Sequence, residues 1–381
     1  MSDSSHINTK AVHAGELKDD TFKSAVSPLY PSTSYAWDQV DIKRYPRYFN
    51  TPNQEALNKK IASLEMAEDA LIFTSGMAAI STVLMAFLAK GDHAIFQREI
   101  YGGTYHFITT QLNRYGISYD FVEGNNIEDF QAKIQNNTKF IYIESPSNPL
   151  MRLTDIKAIA DLCKSNQVLS MIDNTFASPV NQNPISLGID LVIHSATKYM
   201  GGHSDISAGA VAGSTAHIKQ IWDAAICYGG NLSDHTVWLL ERSIKTMGLR
   251  VKEQSYNAMR LALHLKKHSE ITAVHYPGLG SHPDHNLALS QMSDFGGMLS
   301  FEIRQEEKAL DFIRNLKLIK PSLSLAGIES TILLPSVASH ALMPREERLA
   351  QGITDGLLRF SVGIEDFNDL TADIDQALLQ L

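Results

Sequence analysis

The stretch Leu191–Gly202 reads LVIHSATKYMGG and joins a short apolar run to a polar segment that ends in glycine. Leu191–His194 consists mainly of large apolar and β-branched residues, which predicts a buried strand. Ser195, Thr197 and Lys198 follow it directly. Ligands bind at the carboxyl ends of strands in doubly wound sheets, so the segment predicts an amine beside two hydroxyls at a ligand site. A solvated surface lysine after a strand is the alternative.

Similar apolar runs occur on both sides of this strand and alternate with helical patterns such as Ile156–Ser165. They lie at Ala70–Phe73, His93–Phe96, Ser118–Val122, Phe140–Glu144 and Leu169–Ile172, and Ala208–Ala212 closes the series. Short buried strands that alternate with helices predict an α/β fold, in which a mostly parallel sheet is flanked by helices on both faces.

The pattern divides the chain into three regions. Residues 1–50 are polar, interrupted by prolines and show little helical period, which predicts an extended N-terminal arm that lies on another surface. Residues 51–243 carry the alternating strands and helices and form a large domain. Residues 244–381 predict a smaller C-terminal α/β domain.

The C-terminal region has its own pattern. A long helical stretch from Ser233 to about Lys267 leads into it. Strand-like runs follow at Met298–Ile303 and Leu357–Val362, and helical patterns follow at Glu307–Leu316 and Asp366–Leu379. This mixture predicts a second packed unit of strands and helices.

Composition excludes several classes of protein. Hydrophobic residues make up 44% of the 381 residues and charged residues 20%, which is typical of a packed chain and not of a disordered one. The formal net charge is -9, and no basic stripe offsets it, which argues against nucleic-acid binding.

The cysteines and the apolar stretches bear on location. Cys163 and Cys227 lie far apart with no CxxC, which excludes a disulfide scaffold and suits a reducing compartment. The N-terminus lacks the apolar stretch of a signal peptide, and Ala78–Ala89 is too short to span a bilayer. We therefore expect a cytoplasmic protein that binds neither membranes nor nucleic acid.

Two further segments predict ligand contacts. Asp173 lies at the end of the strand that precedes Leu191–His194, where a carboxylate suits a heterocyclic nitrogen; a helix N-cap is the alternative. Ser75-Gly76-Met77 begins a helix, and small residues at such a turn expose backbone N–H groups to an anion. His194 and His203 match no metal-ligand spacing, so no metal site is predicted.

Six ordered motifs together resemble one family, the fold-type-I pyridoxal-phosphate enzymes of cysteine and methionine metabolism. That family includes cystathionine lyases, cystathionine γ-synthase, methionine γ-lyase and O-acetylhomoserine sulfhydrylase. The motifs are TSGMAAI (74–80), YGGTY (101–105), ESPSNP (144–149), DNTFASP (173–179), HSATKYMGGH (194–203) and LLRFSVGIED (357–366). The likeness runs from about residue 10 to residue 381 and implies pyridoxal 5'-phosphate as the cofactor.

The resemblance implies roles for residues around the cofactor ring. Lys198 resembles the lysine that forms the Schiff base and later moves protons, which requires a lowered pKa. Asp173 resembles the partner of the pyridine nitrogen. Tyr101 resembles the tyrosine that stacks on the ring and deprotonates the incoming amine.

The resemblance also implies the phosphate and subunit contacts. The phosphate would bind the backbone N–H groups of Gly76 and Met77 and the hydroxyls of Ser195 and Thr197. In this family a YxR motif of the arm reaches the phosphate site of the neighbouring subunit. Tyr45 and Arg47 match that motif, which implies a homo-oligomer with a shared active site, and family habit favours a homotetramer.

Substrate binding is implied for three residues. Arg359 resembles the arginine that binds the substrate carboxylate, and Asn148 and Ser324 resemble the residues that support it. A paired guanidinium and carboxylate fix the orientation of an amino acid. A structural arginine on an edge strand is the alternative.

Other positions bear on the choice of substrate. Leu323 replaces the glutamate that many cystathionine γ-lyases and γ-synthases place before this serine, and Gly103 replaces a cysteine usual in methionine γ-lyases. His106 stands where several relatives carry arginine, and Asn50-Thr51-Pro52 departs from the family spacing by one residue.

The resemblance and these departures favour a carbon–sulfur lyase of transsulfuration, which eliminates at Cβ or Cγ of cystathionine or a related sulfur amino acid. The alternatives are a γ-replacement enzyme, a methionine γ-lyase and a non-catalytic protein that binds pyridoxal phosphate.

Overall fold

The computed structural model describes residues 5–39, 42–339, 341 and 343–381. Its strands are β1 Asp69–Phe73, β2 His93–Gln97, β3 Ser118–Val122, β4 Thr138–Glu144, β5 Leu169–Asp173, β6 Leu191–His194, β7 Gly209–Gly213, β8 Ile271–His275, β9 Met298–Ile303, β10 Lys320–Pro321, β11 Thr331–Leu333 and β12 Leu357–Ser361. Its α-helices are α1 Ile7–His13, α2 Pro52–Glu65, α3 Gly76–Phe87, α4 Gly102–Gln111, α5 Ile127–Ala132, α6 Ile156–Asn166, α7 Ser178–Asn181, α8 Thr215–Tyr228, α9 Asp234–Ile244, α10 Met247–Leu265, α11 His285–Gln291, α12 Ala309–Asn315, α13 Arg345–Ala350 and α14 Phe367–Leu378. Short 3-10 helices occur at Pro46–Tyr48, Leu112–Tyr115, Pro184–Leu187 and Glu306–Lys308.

The larger sheet has the strand order β1-β7-β6-β5-β4-β2-β3 across the described residues. β7 runs antiparallel to β1 and β6, and the other neighbours are parallel. The predicted α/β fold with a mostly parallel sheet is therefore confirmed. The predicted ends of β3 and β6 match the structure, and the other predicted strands of this sheet differ by one or two residues.

Alternation along β4 shows why helices cover both faces of this sheet. Successive side chains of a strand point to opposite faces. Phe140 and Tyr142 pack in one apolar cluster with side chains of α3 and α8. Ile141 and Ile143 pack in another cluster with side chains of α6. A strand buried on both faces needs such a continuous apolar run.

The N-terminal region contains a helix that the sequence pattern does not predict. α1 packs on α2 and α10, and Ala11 is buried there. The fully buried Lys60 of α2 donates from Nζ to the carbonyls of Ala11 (2.9 Å) and Val12 (3.1 Å). The predicted extended conformation is therefore wrong for residues 7–13. Few apolar residues mark so short a helix, and contacts with the rest of the chain stabilise it.

The long helical stretch from Ser233 to Lys267 forms two helices, α9 and α10, which are separated by Lys245 and Thr246. Gly248 follows the break, and a Cβ at this position would lie 1.8 Å from Asn8 Oδ1. Glycine at this position therefore leaves room for the Asn8 side chain at the start of α10. α10 contacts α1, α7 and α9 and also β8, β9 and α14 of the C-terminal region.

The second sheet has the order β10-β11-β12-β9-β8 in the described part of the chain, and only the β10–β11 pair is parallel. Its apolar side chains pack with α10, α12 and α14. The predicted helix Glu307–Leu316 starts as a 3-10 turn and continues as α12. No helix in the described ranges is long and apolar enough to cross a membrane.

Replacing Ile61 by alanine is expected to lower the free energy of unfolding by about 2–5 kcal/mol, because it leaves a cavity in a packed core. Ile61 is fully buried in the cluster that contains Ala11. Denaturant titration measures the change. Lys59→Ala alters an exposed neighbour and should shift stability by less than about 0.5 kcal/mol. Equal effects of the two variants would contradict the described packing.

Candidate active site

Polar side chains meet at the carboxyl ends of the central parallel strands. Glu144 at the end of β4 is in register with Asp173 at the end of β5, and Asp173 is in register with Ile193 of β6. Ser195 and Lys198 follow β6. These groups therefore lie at one edge of the sheet, where the sequence predicts a ligand site.

Lys198 lies in a tight turn that leaves β6. The backbone N–H of Lys198 donates to Ser195 O (3.0 Å), and the N–H of Gly202 donates to Lys198 O (2.7 Å). The Lys198 ammonium donates to the Ser324 hydroxyl, with an Nζ–Oγ distance of 2.6 Å. Burial and the positive charge of Arg359 lower the pKa of Lys198 to about 8, against the opposing charge of Asp173. A lowered pKa makes the neutral, nucleophilic amine available near neutral pH.

Arg250 of α10 holds this turn and was not predicted as a site residue. Its guanidinium donates to the carbonyls of Tyr199 (2.9 Å), Met200 (3.4 Å) and Ser243 (3.0 Å). Burial lowers the pKa of Arg250 to about 10. Gly202 has a φ of +69°, and a Cβ there would lie 1.8 Å from Arg250 Nη1. Glycine at this position thus lets the guanidinium reach the turn.

Arg359, on β12 of the second sheet, also belongs to this cluster. It is buried, with its Nη1 donating to Asn148 Oδ1 (3.1 Å) and its Nη2 donating to the backbone carbonyl of Ser324 (3.0 Å). Burial lowers the pKa of Arg359 to about 10, while the charge of Glu144 opposes the shift. The predicted substrate residues Arg359, Asn148 and Ser324 are therefore in direct contact, and Ser324 links them to Lys198.

The segment 324–328 adopts an unusual backbone. Ser324 and Ala326 have φ values of +75° and +63°, a region that residues with side chains rarely occupy. The N–H of Ala326 donates to Ser361 Oγ (2.7 Å), and the N–H of Ile328 donates to Gly202 O (2.9 Å). These contacts hold the Ser324 hydroxyl beside Lys198.

Asp173 is a buried carboxylate with partners on both oxygens. Oδ1 accepts from the N–H of Thr175 (2.9 Å), and Oδ2 accepts from the Tyr142 hydroxyl (3.4 Å). Burial raises the pKa of Asp173, while the hydrogen bonds from Thr175 and the charge of His194 act in the opposite direction. The helix N-cap alternative does not apply, because the next helix, α7, begins at Ser178.

Glu144 is a second buried carboxylate, and sequence reasoning missed it. Its Oε2 accepts from the backbone N–H of Tyr101 (2.8 Å) and so fixes the start of α4. Burial and the neighbouring charge of Asp173 raise the pKa of Glu144 well above its ordinary value. Its position at the end of a predicted strand, within ESPSNP, was the available signal.

The N-terminus of α3 faces Ser195. Ser75 caps the helix by accepting from the N–H of Ala78 (3.1 Å). The first N–H groups of a helix, here those of Gly76 and Met77, have no partner within the helix. A Cβ on Gly76 would lie 3.0 Å from Ser195 Cβ, so glycine permits close contact. The predicted anion site therefore brings Gly76, Met77 and Ser195 together.

The Thr197 hydroxyl bonds to the backbone of the chain itself. Its hydroxyl donates to Ala208 O (3.1 Å) and accepts from the N–H of Ala208 (3.0 Å). These two bonds join the Lys198 turn to the strand β7 that follows. A role for this hydroxyl toward an anion stays a prediction.

Tyr101 is half-exposed, with 49% of its surface accessible. A Cβ on Gly103 would lie 2.5 Å from Tyr101 Cε1, so glycine at 103 permits this position of the ring.

The side chains of His106 and Leu323 are exposed. His203, considered for a metal, instead contacts Gly201 O through Nδ1 (2.8 Å).

Tyr45 and Arg47 lie apart from this cluster. The Arg47 guanidinium lies 5.8 Å from the Tyr45 ring and 5.2 Å from the Tyr48 ring, and it donates to Ile226 O of α8. Among the described residues of one chain, no hydrogen bond joins Tyr45 or Arg47 to Lys198.

A partly buried lysine with a lowered pKa, a helix N-terminus suited to an anion and a buried carboxylate together define the site of a cofactor-dependent α/β enzyme. These groups fit pyridoxal phosphate, which offers an aldehyde, a phosphate and a ring nitrogen. The sequence profile of the Cys/Met metabolism PLP-dependent enzymes matches residues 8–379. The chain belongs to this family, as the sequence motifs predict.

Individual relatives are similar over nearly their whole length. The cystathionine beta-lyase of Lactococcus lactis subsp. cremoris (strain MG1363) is 42% identical, over 98% of this chain and 98% of that protein. The cystathionine gamma-lyase of Bacillus subtilis (strain 168) is 43% identical, over 97% and 98%. The crystal structure of cystathionine gamma-lyase from Lactobacillus plantarum complexed with L-serine has a TM-score of 0.95 and 37% identity, over 98% and 99%.

Replacing Arg359 by glutamine is expected to raise the pKa of Lys198 above about 8, because a neighbouring positive charge is removed. The neutral amine then predominates only at higher pH. The rate at which the apoprotein takes up pyridoxal phosphate, followed by the visible absorbance of the lysine-bound cofactor, should therefore show a pH midpoint shifted upward.

Arg359→Lys retains the charge and is the matched control, and Arg314→Gln removes an exposed charge on α12. Both should keep the midpoint of the unaltered protein. An unshifted midpoint for Arg359→Gln would contradict the influence of Arg359 on Lys198.

Proposed function

We propose that this chain is a pyridoxal-phosphate-dependent carbon–sulfur lyase, which eliminates at Cβ or Cγ of cystathionine or a related sulfur amino acid. One observation carries the proposal. The amine of Lys198 contacts the Ser324 hydroxyl, while Arg359 binds the carbonyl of the same serine. A group suited to proton transfer and a group suited to carboxylate binding therefore contact the same residue. The relatives named as beta-lyases and gamma-lyases support both positions of elimination.

Residues of this chain would hold the cofactor at three points. Gly76, Met77 and Ser195 would bind its phosphate, and Asp173 would bind its ring nitrogen. The aromatic ring of Tyr101 would pack on the cofactor ring. Lys198 would form the covalent link.

The substrate would be oriented by Arg359 and Asn148. The guanidinium would bind the α-carboxylate, since a charged fork of donors matches two carboxylate oxygens. This contact would hold the Cα–H bond toward Lys198, which removes the proton as a neutral amine. Bound pyridoxal phosphate supplies an electron-withdrawing ring that stabilises the negative charge left at Cα.

The carbon–sulfur bond then breaks. For elimination at Cβ, the electrons of the bond leave with sulfur, which takes a proton and departs as a thiol. Elimination at Cγ first requires loss of a Cβ proton. Lys198 would accept it after giving up the proton taken from Cα, and would then return a proton to the departing sulfur. Addition of water to the unsaturated amine that remains gives ammonia and a keto acid.

Leu323 favours substrates with an apolar or short side chain. It precedes Ser324 and is 68% exposed. An apolar side chain offers no partner for the distal ammonium of cystathionine. Methionine and homocysteine are therefore tested beside cystathionine.

A γ-replacement reaction on an acylhomoserine is the second candidate, since it uses the same groups of the chain.

We also propose that the active site is shared in a homo-oligomer, in which Tyr45 and Arg47 of one subunit reach the phosphate of the next. Two facts support this. The arm exposes large apolar side chains, with Phe22 87% and Trp37 76% accessible, which is typical of surfaces covered by another chain. Arg47 offers a charged fork at the surface of its own subunit.

The first test incubates the cofactor-loaded protein with L-cystathionine and identifies the keto acid by mass. We expect pyruvate from elimination at Cβ or 2-oxobutyrate from elimination at Cγ, and none from Lys198→Ala, which lacks the proton-transfer group. Parallel reactions contain methionine, homocysteine, or O-acetylhomoserine with cysteine. Release of no keto acid from any sulfur amino acid would refute the lyase, and formation of cystathionine in its place would establish replacement.

The shared site predicts complementation between two inactive chains. Arg47→Ala should lose cofactor affinity, and Lys198→Ala should lose turnover. A mixed dimer combines Lys198 of one chain with Arg47 of the other and should regain activity at one site. Asp173→Ala mixed with Lys198→Ala offers no intact site and is the control. Verified mixed dimers without recovered activity would contradict the shared site.

A further inference from the structure

A buried polar network lies directly behind Asp173 and takes no part in the mechanism above. Glu65, the last residue of α2, is fully buried. Its Oε1 accepts from His194 Nε2 and from Asn174 Nδ2 (3.1 Å). Its Oε2 has no hydrogen-bond partner among the described residues. A buried carboxylate is stable when it is paired with a charge or fully hydrogen-bonded, so the unpartnered oxygen is unusual.

The network is held rigidly by neighbouring amides. Asn174 Nδ2 also donates to Gln182 O (2.9 Å), and Gln182 Nε2 donates to Asn174 Oδ1 (2.9 Å) and to Ser145 O (2.9 Å). The backbone N–H of Asn174 donates to Ile193 O (3.0 Å). The Glu65 carboxylate thus has fixed surroundings. Of the described residues that hydrogen-bond to it, His194 is the one that can carry a positive charge.

The network is connected to Asp173 through two adjacent strands. Asp173 is in register with Ile193, and Asn174 and His194 are the next residues of their chains. Because side chains alternate along a strand, His194 points to the sheet face opposite Asp173. The imidazole and the carboxylate therefore lie on opposite faces of the sheet, at the ends of neighbouring strands.

Charged and titratable groups face Asp173 from several elements. Glu144 and the Tyr142 hydroxyl approach from β4, and Lys198 approaches from the turn after β6. The positive charge of His194 lowers the pKa of Asp173, whereas burial raises it. Glu144 carries the same charge as Asp173 and favours its neutral form. A positive charge on His194 offsets these effects.

We propose that Glu65 and His194 are positioning residues that act through Asp173. Glu65 accepts a hydrogen bond from Nε2 and so pairs its carboxylate with a positive charge on His194, and that charge favours the ionised form of Asp173. An ionised Asp173 retains a proton on the ring nitrogen of the cofactor. The inference rests on the proposed role of Asp173 and extends it to a pair of residues that touch neither cofactor nor substrate.

The test compares two cofactors in the full-length protein. One is pyridoxal phosphate, and the other is the 1-deaza analogue, in which carbon replaces the ring nitrogen. Glu65→Gln keeps the size of the side chain and removes its charge. We expect it to weaken retention of pyridoxal phosphate about tenfold, the equivalent of one pKa unit for Asp173, and to leave retention of the analogue unchanged.

A second readout is the pH at which the protein releases pyridoxal phosphate. Protonation of Asp173 ends its contact with the ring nitrogen as the pH falls. In Glu65→Gln the pKa of Asp173 is higher, so release should begin at a higher pH than in the unaltered protein. The analogue should be released at the same pH from both proteins.

Two controls separate this effect from damage to the fold. Asn183→Ala removes a hydrogen bond to Leu64 O (2.9 Å) beside Glu65 without altering charge and should affect both cofactors equally and slightly. If Glu65→Gln does not fold, the double variant Glu65→Gln/His194→Gln replaces the ion pair by two amides and should show the same selective loss.

Equal weakening of both cofactors by Glu65→Gln, or of neither, would overturn the inference. If the unaltered protein itself retains the two cofactors equally, the role of Asp173 is refuted and the inference fails with it. A protein that discriminates between the cofactors but releases no keto acid from any sulfur amino acid would refute the proposed lyase and leave this inference standing.

Discussion

The burial of ionisable side chains at the carboxyl ends of β4, β5 and β6 is the constraint on which the site depends. Glu144 and Asp173 are neighbours in register, and His194 ends the next strand. Two adjacent carboxylates repel each other strongly where water is scarce. Each therefore needs a dedicated partner: the Tyr101 N–H for Glu144 and the Thr175 N–H for Asp173. The strand register places the two carboxylates side by side, and backbone N–H groups outside these strands offset their repulsion.

The two sheets contribute different halves of the chemistry. The larger sheet supplies the lysine and the carboxylates, and the smaller one supplies Arg359 from β12. The halves meet through Ser324, which accepts from Lys198 at its hydroxyl and from Arg359 at its carbonyl. Like charges on Lys198 and Arg359 then keep the amine partly neutral, so the group that would bind substrate also adjusts the group that would react with it.

Local patterns predicted the strands well because a buried parallel strand has a distinctive apolar run, and β6 was predicted to the residue. The helix α1 was missed because only packing against the rest of the chain stabilises it. Arg250 and Glu65 were missed for another reason: their roles depend on contacts over long separations, such as the 129 residues between Glu65 and His194. Motifs indicated Lys198 and Arg359. Only the structure shows that both side chains form hydrogen bonds to Ser324.

The contact between the Lys198 turn and segment 324–328 has a consequence for protein engineering. Gly202 O accepts from the N–H of Ile328, and Arg250 at the junction of the two sheets binds the carbonyls of the turn. A chimaera that takes its C-terminal half from a relative would replace not only Arg359, for which we propose substrate binding, but also the residues that support the lysine turn. We therefore expect such an exchange to alter the reactivity of the amine together with substrate preference.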